Sequence, residues 1–224
     1  MSSNFIYFSI IFISVLCTMC GWYSFWLHLV RNFLMVQVVV VYHSGFGHTA
    51  KVAHAVGEGV LQSAGASAQV VSVSELDEAT WAVLDAADAI IFGAPTYMGS
   101  ASAPFKAFMD ASSARWFSGV WKNKISAGFT NSGHYSGDKL NTLTQLAIFA
   151  AQHGMIWVGN NEPPASTKAG MCEESINRLG CSLGLETQSH NDSPEVTPPS
   201  GDLETARLFG KRVADVAGQF IHRK

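Results

Sequence analysis

Val36-Gln37-Val38-Val39-Val40-Val41-Tyr42-His43-Ser44-Gly45-Phe46-Gly47-His48-Thr49 is the stretch on which the reading of this chain turns. A β-branched run ends abruptly in Ser44–Thr49. Apolar positions at Val52, Ala53, Val56, Val60 and Leu61 then follow at helical spacing. The pattern predicts a buried parallel strand, a tight turn of small and polar residues, and a helix over 48–63. Such a corner aims backbone N–H groups and the positive end of a helix dipole at one spot. It suits a phosphate. No Lys or Arg lies between Val36 and Ala50, so the backbone and hydroxyls would have to hold the anion.

Outward from this corner, strands and helices alternate. Short strands are predicted at Ala68–Val73, Ala89–Phe92 (bounded by Gly93 and Pro95), Lys124–Thr130 and Met155–Val158. Helices are predicted at Trp81–Ala87, Ser102–Ala111, Lys139–Gln152 and Leu203–Phe220. In the first of these, Trp81, Val83 and Leu84 point inward, and in the second Phe105, Phe108 and Met109 share a side. Alternation of this kind implies βαβ units and a parallel sheet with right-handed crossovers. The stretch Asn160–Asp202 is rich in Asn, Ser, Pro and Gly and too long for an idle connection, which points to a functional loop or an oligomer contact.

Composition narrows the function classes. The chain has 224 residues, 48% hydrophobic and 14% charged, enough for one domain with a full core and unlike a disordered chain. A net charge of −3 with no Lys/Arg cluster gives no reason to expect nucleic acid as a partner. Cys17 and Cys20 resemble a C-x-x-C pair but sit in an apolar run with no second pair, so no metal site is expected. Cys172 and Cys181 read as free thiols in a reducing compartment.

The N-terminus is unusual. Phe5 to Val30 contains no Asp, Glu, Lys or Arg, long enough to span a bilayer as a helix. Trp22, Tyr23 and Trp26 fit an interfacial belt, with Arg31 on the cytoplasmic side. Against this, Met35 directly precedes the first strand, and residues 35–224 read as a complete domain. Residues 1–34 are therefore either a membrane anchor or a dispensable extension from a misassigned start. The expected location is cytoplasmic, with or without attachment to the inner face of a membrane through residues 5–30.

Three loops follow strand ends, where open parallel sheets bind ligands. Ser44–Thr49 offers two glycines, hydroxyls on Ser44 and Thr49, and His48. Pro95-Thr96-Tyr97-Met98-Gly99 places an aromatic ring and a thioether beyond a buried strand, which suits a planar heteroaromatic ligand. Asn131-Ser132-Gly133-His134-Tyr135-Ser136 is almost wholly polar and offers backbone N–H groups to the edge of a ring. Each loop alone has a plain structural reading: a tight turn, a Tyr packed on its own loop, a solvated loop.

These residues, with Phe108-Met109-Asp110 leading to Trp116, Gln152-His153-Gly154-Met155 and Leu203-Glu204-Thr205-Ala206-Arg207, resemble the flavodoxin-like superfamily. The resemblance covers Val36 to Phe220. It is nearest to NAD(P)H:quinone oxidoreductases of the tryptophan-repressor-binding-protein (WrbA) type and the NADPH-dependent FMN reductases. It implies a doubly wound, five-stranded parallel sheet of order 2-1-3-4-5 with helices on both faces, and a bound FMN. Ser44, Gly45, Phe46, Gly47, His48 and Thr49 would hold its phosphate. Pro95 to Gly99 would flank the isoalloxazine and ribityl groups. Asn131 to Ser136, with Gln152, would meet the ring's polar edge. Phe46 would face the nicotinamide, and Trp116 the quinone, from a neighbouring subunit of a homo-oligomer. The chain departs from the family pattern in three ways. Gln152 replaces the first of two usual histidines before Gly-Met. The long insertion after the second strand is missing. His134 and Tyr135 stand where small residues are usual.

The leading expectation is an enzyme in which NAD(P)H and a quinone or similar acceptor react in turn, with His134 and His153 as candidate proton relays. The alternatives are a flavodoxin-like electron carrier without its own NAD(P)H:quinone activity, and a non-catalytic flavin-fold binding module. Carriers usually present a strongly acidic face, and 17 acidic against 14 basic residues do not supply one.

Overall fold

The computed structural model describes residues 35–167 and 169–221. The apolar N-terminal segment, its Cys17/Cys20 pair and the anchoring it suggested lie outside the described residues. Among the described residues no helix is long and apolar enough to cross a membrane.

The strands are β1 (Val36–Tyr42), β2 (Ala66–Ser72), β3 (Ala89–Tyr97), β4 (Ser100–Ala101), β5 (Ile125–Ser132), β6 (Ile156–Trp157) and β7 (Leu185–Gln188). The helices are α1 (His48–Leu61), α2 (Glu78–Ala86), α3 (Ala103–Ala111), α4 (Ser113–Ser118), α5 (Lys139–Gln152) and α6 (Ser200–Ile221). The sheet runs β2-β1-β3-β5-β6, all parallel, which matches the expected doubly wound order. Its fifth position is divided. β6 pairs with the start of β5 (Ile125↔Ile156), and β7 pairs with the end (Phe129↔Leu185). The single strand expected at Met155–Val158 is thus only half of that position.

β1 is a near-continuous apolar run because both its faces are covered. Val38 and Val40 pack on one face with Val52, Val56 and Val60 of α1 and Phe209 and Val213 of α6. Val39 and Val41 pack on the other with Trp81 and Leu84 of α2, Phe105 and Phe108 of α3, and Leu143 and Leu146 of α5. The helices therefore divide between the two faces as their apolar stripes require. Met109, expected to share a side of α3 with Phe105 and Phe108, packs against the same cluster and is partly buried.

β3 overruns its predicted end. Gly93 and Pro95 are read from sequence as strand boundaries, yet pairing with β5 continues through Gly93↔Phe129 to Pro95↔Asn131. The strand tolerates them for local reasons. Gly93 leaves space that the Phe129 ring fills, and a Cβ there would collide with that ring. Pairing between β1 and β3 stops at Tyr42↔Gly93, with His43 donating its N–H to Gly93 O at 3.0 Å. By the two-residue alternation of a strand, Pro95 faces the same side as Gly93, where β1 has already turned away. Its missing N–H costs nothing there.

α1 and α6 approach closely enough for backbone to touch backbone. A Cβ on Gly59 would run into the Arg207 carbonyl, and one on Gly210 into the Val56 carbonyl. Gly59→Ala or Gly210→Ala should each force the helices apart and destabilise the protein by about 1–3 kcal/mol. A lower denaturation midpoint in urea checks this, and unchanged midpoints would show that the helices can shift at no cost.

Candidate functional site

β1, β3, β5 and β7 end on one edge of the sheet, and a cleft of about 560 Å³ opens there. The three loops picked from sequence converge on it. Ser44, Phe46, His48 and Thr49 line it from the first, Pro95, Thr96 and Tyr97 from the second, and Asn131, Ser132, Gly133 and His134 from the third. A fourth wall, Ser189–Asp192, comes from the segment between β7 and α6. Sheet growth reverses at β1, with β2 on one side and β3 on the other, so the cleft lies at the topological switch point.

The first loop is shaped by Gly47, which precedes α1 in the left-handed region at φ +88°. Its N–H donates to Ser44 Oγ at 3.1 Å, and its carbonyl accepts from Lys51 N–H at 3.0 Å. The amides of His48, Thr49 and Ala50, in the first turn of α1, have no intrahelical acceptor. Together with the Ser44 and Thr49 hydroxyls they form an uncharged anion cradle free of carboxylates. Both glycines are required by what lies against them. A Cβ on Gly45 would sit 2.6 Å from Tyr97 Oη, and one on Gly47 2.9 Å from Pro194 Cγ.

In the second loop, the Tyr97 ring meets the Phe46 ring edge-on, with centroids 6.3 Å apart. Burial pushes the Tyr97 phenol above its ordinary pKa, while the Gly45 N–H, donating to it, acts the other way. Thr96 contributes its surface but not its hydroxyl. Its Oγ1 is shared with Thr130 at 2.7 Å and Thr142 at 2.8 Å inside the protein. Met98 and Gly99 do not line the cleft. They form a two-residue turn between β3 and β4, with φ +48° and +80°, and Met98 projects fully into solvent. Positive φ at both positions is the type I′ hairpin requirement, ordinarily met by Asn-Gly.

In the third loop, Asn131 is buried and its Oδ1 accepts from Thr187 Oγ1 at 2.8 Å and Ser189 Oγ at 3.0 Å. That leaves its amide NH₂ for the cleft. Tyr135 and Ser136 face another groove, where the Arg178 guanidinium lies 5.7 Å from the Tyr135 ring centroid.

The fourth wall lies within Asn160–Asp202, the stretch expected to be a functional loop or an oligomer contact, although the sequence singles out none of its residues. It straps across the cradle: His48 Nε2 donates to Asp192 O at 2.8 Å, and Lys51 Nζ to Glu195 O at 3.0 Å. It also brings Asp192 to a site whose other three loops hold no acid. Cys172 is exposed and Cys181 half-buried, both unpaired thiols.

Trp116, Gln152 and His153 do not belong to this cleft. They line a second one with Ser100, Lys106, Met109 and Ile148. The β3–β4 hairpin gives Thr96 and Tyr97 to the first cleft and Ser100 and Ala101 to the second. His153 is buried beside Trp121 and Phe149, with Nε2 2.9 Å from Ser112 Oγ and Nδ1 without a partner among the described residues. Burial lowers its pKa. Within one chain, Gln152 therefore does not reach the ligand of the first cleft and His153 does not relay protons to it.

A parallel sheet reversing at its first strand, with an amide-lined anion cradle at the opening of the next helix, defines a protein of the flavodoxin-like class. The chain belongs to the NADPH-dependent FMN reductase family, whose model matches residues 37–170. It is similar to "Flavodoxin FldP" of Pseudomonas aeruginosa, 46% identical over 188 residues that span 84% of this chain and 100% of that protein. It is 32% identical to an NAD(P)H dehydrogenase (quinone) of Sinorhizobium fredii, over 83% of this chain and 98% of that one. The solved structure of a flavodoxin, WrbA-like protein from Agrobacterium tumefaciens matches at 46% identity and TM-score 0.63, covering 82% of this chain and 98% of that one.

Left-handed backbone costs a methionine roughly 1–2 kcal/mol, whereas Asn adopts it more readily. Met98→Asn should therefore raise the stability of the FMN-free protein by about 1 kcal/mol, or about 2–4 °C in Tm. An unchanged or lower Tm would mean that the turn holds no strain.

Proposed function

We propose that the first cleft binds FMN and that the protein passes two electrons from NAD(P)H to a quinone or similar acceptor by a ping-pong mechanism. The observation that carries this reading is the continuity of one cleft from an amide-lined anion cradle to a polar loop across an aromatic slot. Phosphate, sugar chain and ring find their complements in that order. When bound, FMN supplies the two-electron chemistry, accepting hydride from one substrate and reducing the other.

The residues of the chain bind and orient. The amides of His48 and Thr49 and the hydroxyls of Ser44 and Thr49 grip the phosphate. Pro95, Thr96 and Tyr97 wall the ring, and the Asn131 amide and the backbone of Ser132–His134 meet its polar edge. Phe46, exposed at the mouth, offers a face to the nicotinamide. His134, exposed at the same mouth, is placed to exchange a proton with solvent. Trp116, Gln152 and His153 would serve the ring of a neighbouring copy, which makes a homo-oligomer part of the proposal. The name of the Sinorhizobium relative supports the enzyme reading.

A second reading, an electron carrier, is favoured by the name of the 46%-identical Pseudomonas relative. The two part on one assay. Purified protein with added FMN, either nicotinamide and a benzoquinone should turn over with parallel double-reciprocal lines and no other protein present. Lack of turnover with both donors would overturn the enzyme reading and leave the carrier.

Gly47→Val tests the cradle. The substitution places a β-branched residue at φ +88°, against Pro194. A strain of about 1–3 kcal/mol should weaken FMN binding about tenfold or more, read by quenching of flavin fluorescence. Wild-type affinity in this variant would remove the phosphate assignment.

A further inference from the structure

Lys139 begins α5 with its side chain wholly buried. An ammonium leaves water at high cost unless each of its hydrogens finds an acceptor. Here three oxygens meet it: Ser132 Oγ at 3.1 Å, His134 O at 2.7 Å and Tyr135 O at 2.8 Å. Ser132 closes β5, and the other two come from the loop that joins it to α5. The neighbouring carbonyl, Gly133 O, accepts from Gln188 Nε2 at 3.0 Å. Gln188 is itself locked. Its Oε1 accepts from Arg178 at 3.0 Å, its N–H donates to Asp202 at 2.8 Å, and Arg178 and Asp202 form a buried bidentate pair.

The loop thus has three consecutive carbonyls, of residues 133, 134 and 135, drawn onto interior donors. The amides of Gly133, His134, Tyr135 and Ser136 meet no protein acceptor among the described residues, and Gly133 and His134 line the cleft. A loop with its acceptors turned inward and its donors left open favours negative charge beside it.

We propose that Lys139 is a positioning residue that, with Gln188, biases the site toward reduced flavin by holding the Gly133 and His134 amides toward the ring. This rests on the reading that the loop lines the ring's polar edge. Two electrons and one proton added to the oxidised ring leave a net negative charge on that edge at neutral pH. Fixed N–H donors gain more against an anion than against the neutral carbonyl it replaces. The buried ammonium behind the loop adds a field of the same sign, reduced by the Glu186 and Asp202 carboxylates that also act on it. No proton moves at Lys139.

The test is the midpoint potential of bound FMN, measured by equilibration with a reference dye, together with the affinity of the apoprotein for oxidised FMN. Neither needs NAD(P)H or quinone, so the result does not depend on the choice between reductase and carrier. Lys139→Met should leave oxidised FMN bound, yet lower the preference for reduced over oxidised flavin about tenfold, a midpoint about 30 mV more negative. Gln188→Met should shift it in the same direction by less. An unchanged midpoint in folded Lys139→Met, or an equal loss of affinity for both redox states, would overturn the proposal and make Lys139 a scaffold residue. Should Lys139→Met not fold, Gln188→Met carries the test, and an unchanged midpoint there overturns it. Wild-type protein that takes up no FMN would defeat the underlying cofactor reading as well, a result distinct from flavin that binds without a shifted midpoint.

Discussion

β1 has a neighbour on each edge and a helical layer over each face; it ends level with β2 (Tyr42↔Ser72) and well before β3 does. Beyond His43, whose N–H still donates to Gly93 O, the chain leaves the sheet and turns through Ser44–Gly47 into α1. β3 runs four residues past its last pairing with β1, and β5 follows it. The step between a short central strand and two longer ones is the floor of the cleft. A ligand that enters it meets unpaired backbone on one side and strand ends on the other. Fold and site therefore share one cause, the unequal lengths of adjacent parallel strands at the point where the sheet changes direction of growth.

The charges are arranged around this step with an economy that the residue content of the loops hides. Lys51 is the basic side chain nearest the cradle, and its ammonium is spent on a backbone carbonyl of the strap. Arg178 and Lys139, the deeply buried cations, stand behind the third loop rather than in the cleft. On the proposed assignment, positive potential reaches the ligand through oriented peptide dipoles, from the end of α1 on one side and from the pinned loop on the other. Such dipoles carry no formal charge and need little solvent around them. Such an arrangement would let a chain of near-neutral balance build the proposed anion site without a basic patch.

Much of this was legible in the sequence. β1, α1 and α5 fall where their periodicity places them, because long regular segments leave little room for another solution. The three loops were legible too, since small and polar residues after a buried strand have few uses other than turning or binding. What escaped reading did so for identifiable reasons. Gly93 stays in the ladder because the Phe129 ring fills the space beside it, and Pro95 stays because β1 has already ended on the side its N–H would face. The Met98–Gly99 turn lacks the Asn-Gly signature because a methionine occupies its left-handed position. β7 is four residues of mixed polarity inside a loop-like stretch, and only the alternation of Leu185 and Thr187 hints at it. The strap that follows β7 lies in the stretch Asn160–Asp202, legible as a functional loop or an oligomer contact, but nothing in its residues tells that it crosses the cradle. Trp116, Gln152 and His153 were assigned through resemblance rather than through their own surroundings, and a single chain puts them in a different cleft.

The divided fifth strand has a consequence for the behaviour of the protein in a crowded solution. An edge strand presents a row of unpaired amides and carbonyls that can recruit a strand from another molecule. Here that margin is broken by the excursion between Trp157 and Leu185 into pieces of two and four residues. Each piece offers fewer consecutive hydrogen-bonding groups than an uninterrupted strand would, a way of blunting an edge against strand recruitment from another molecule.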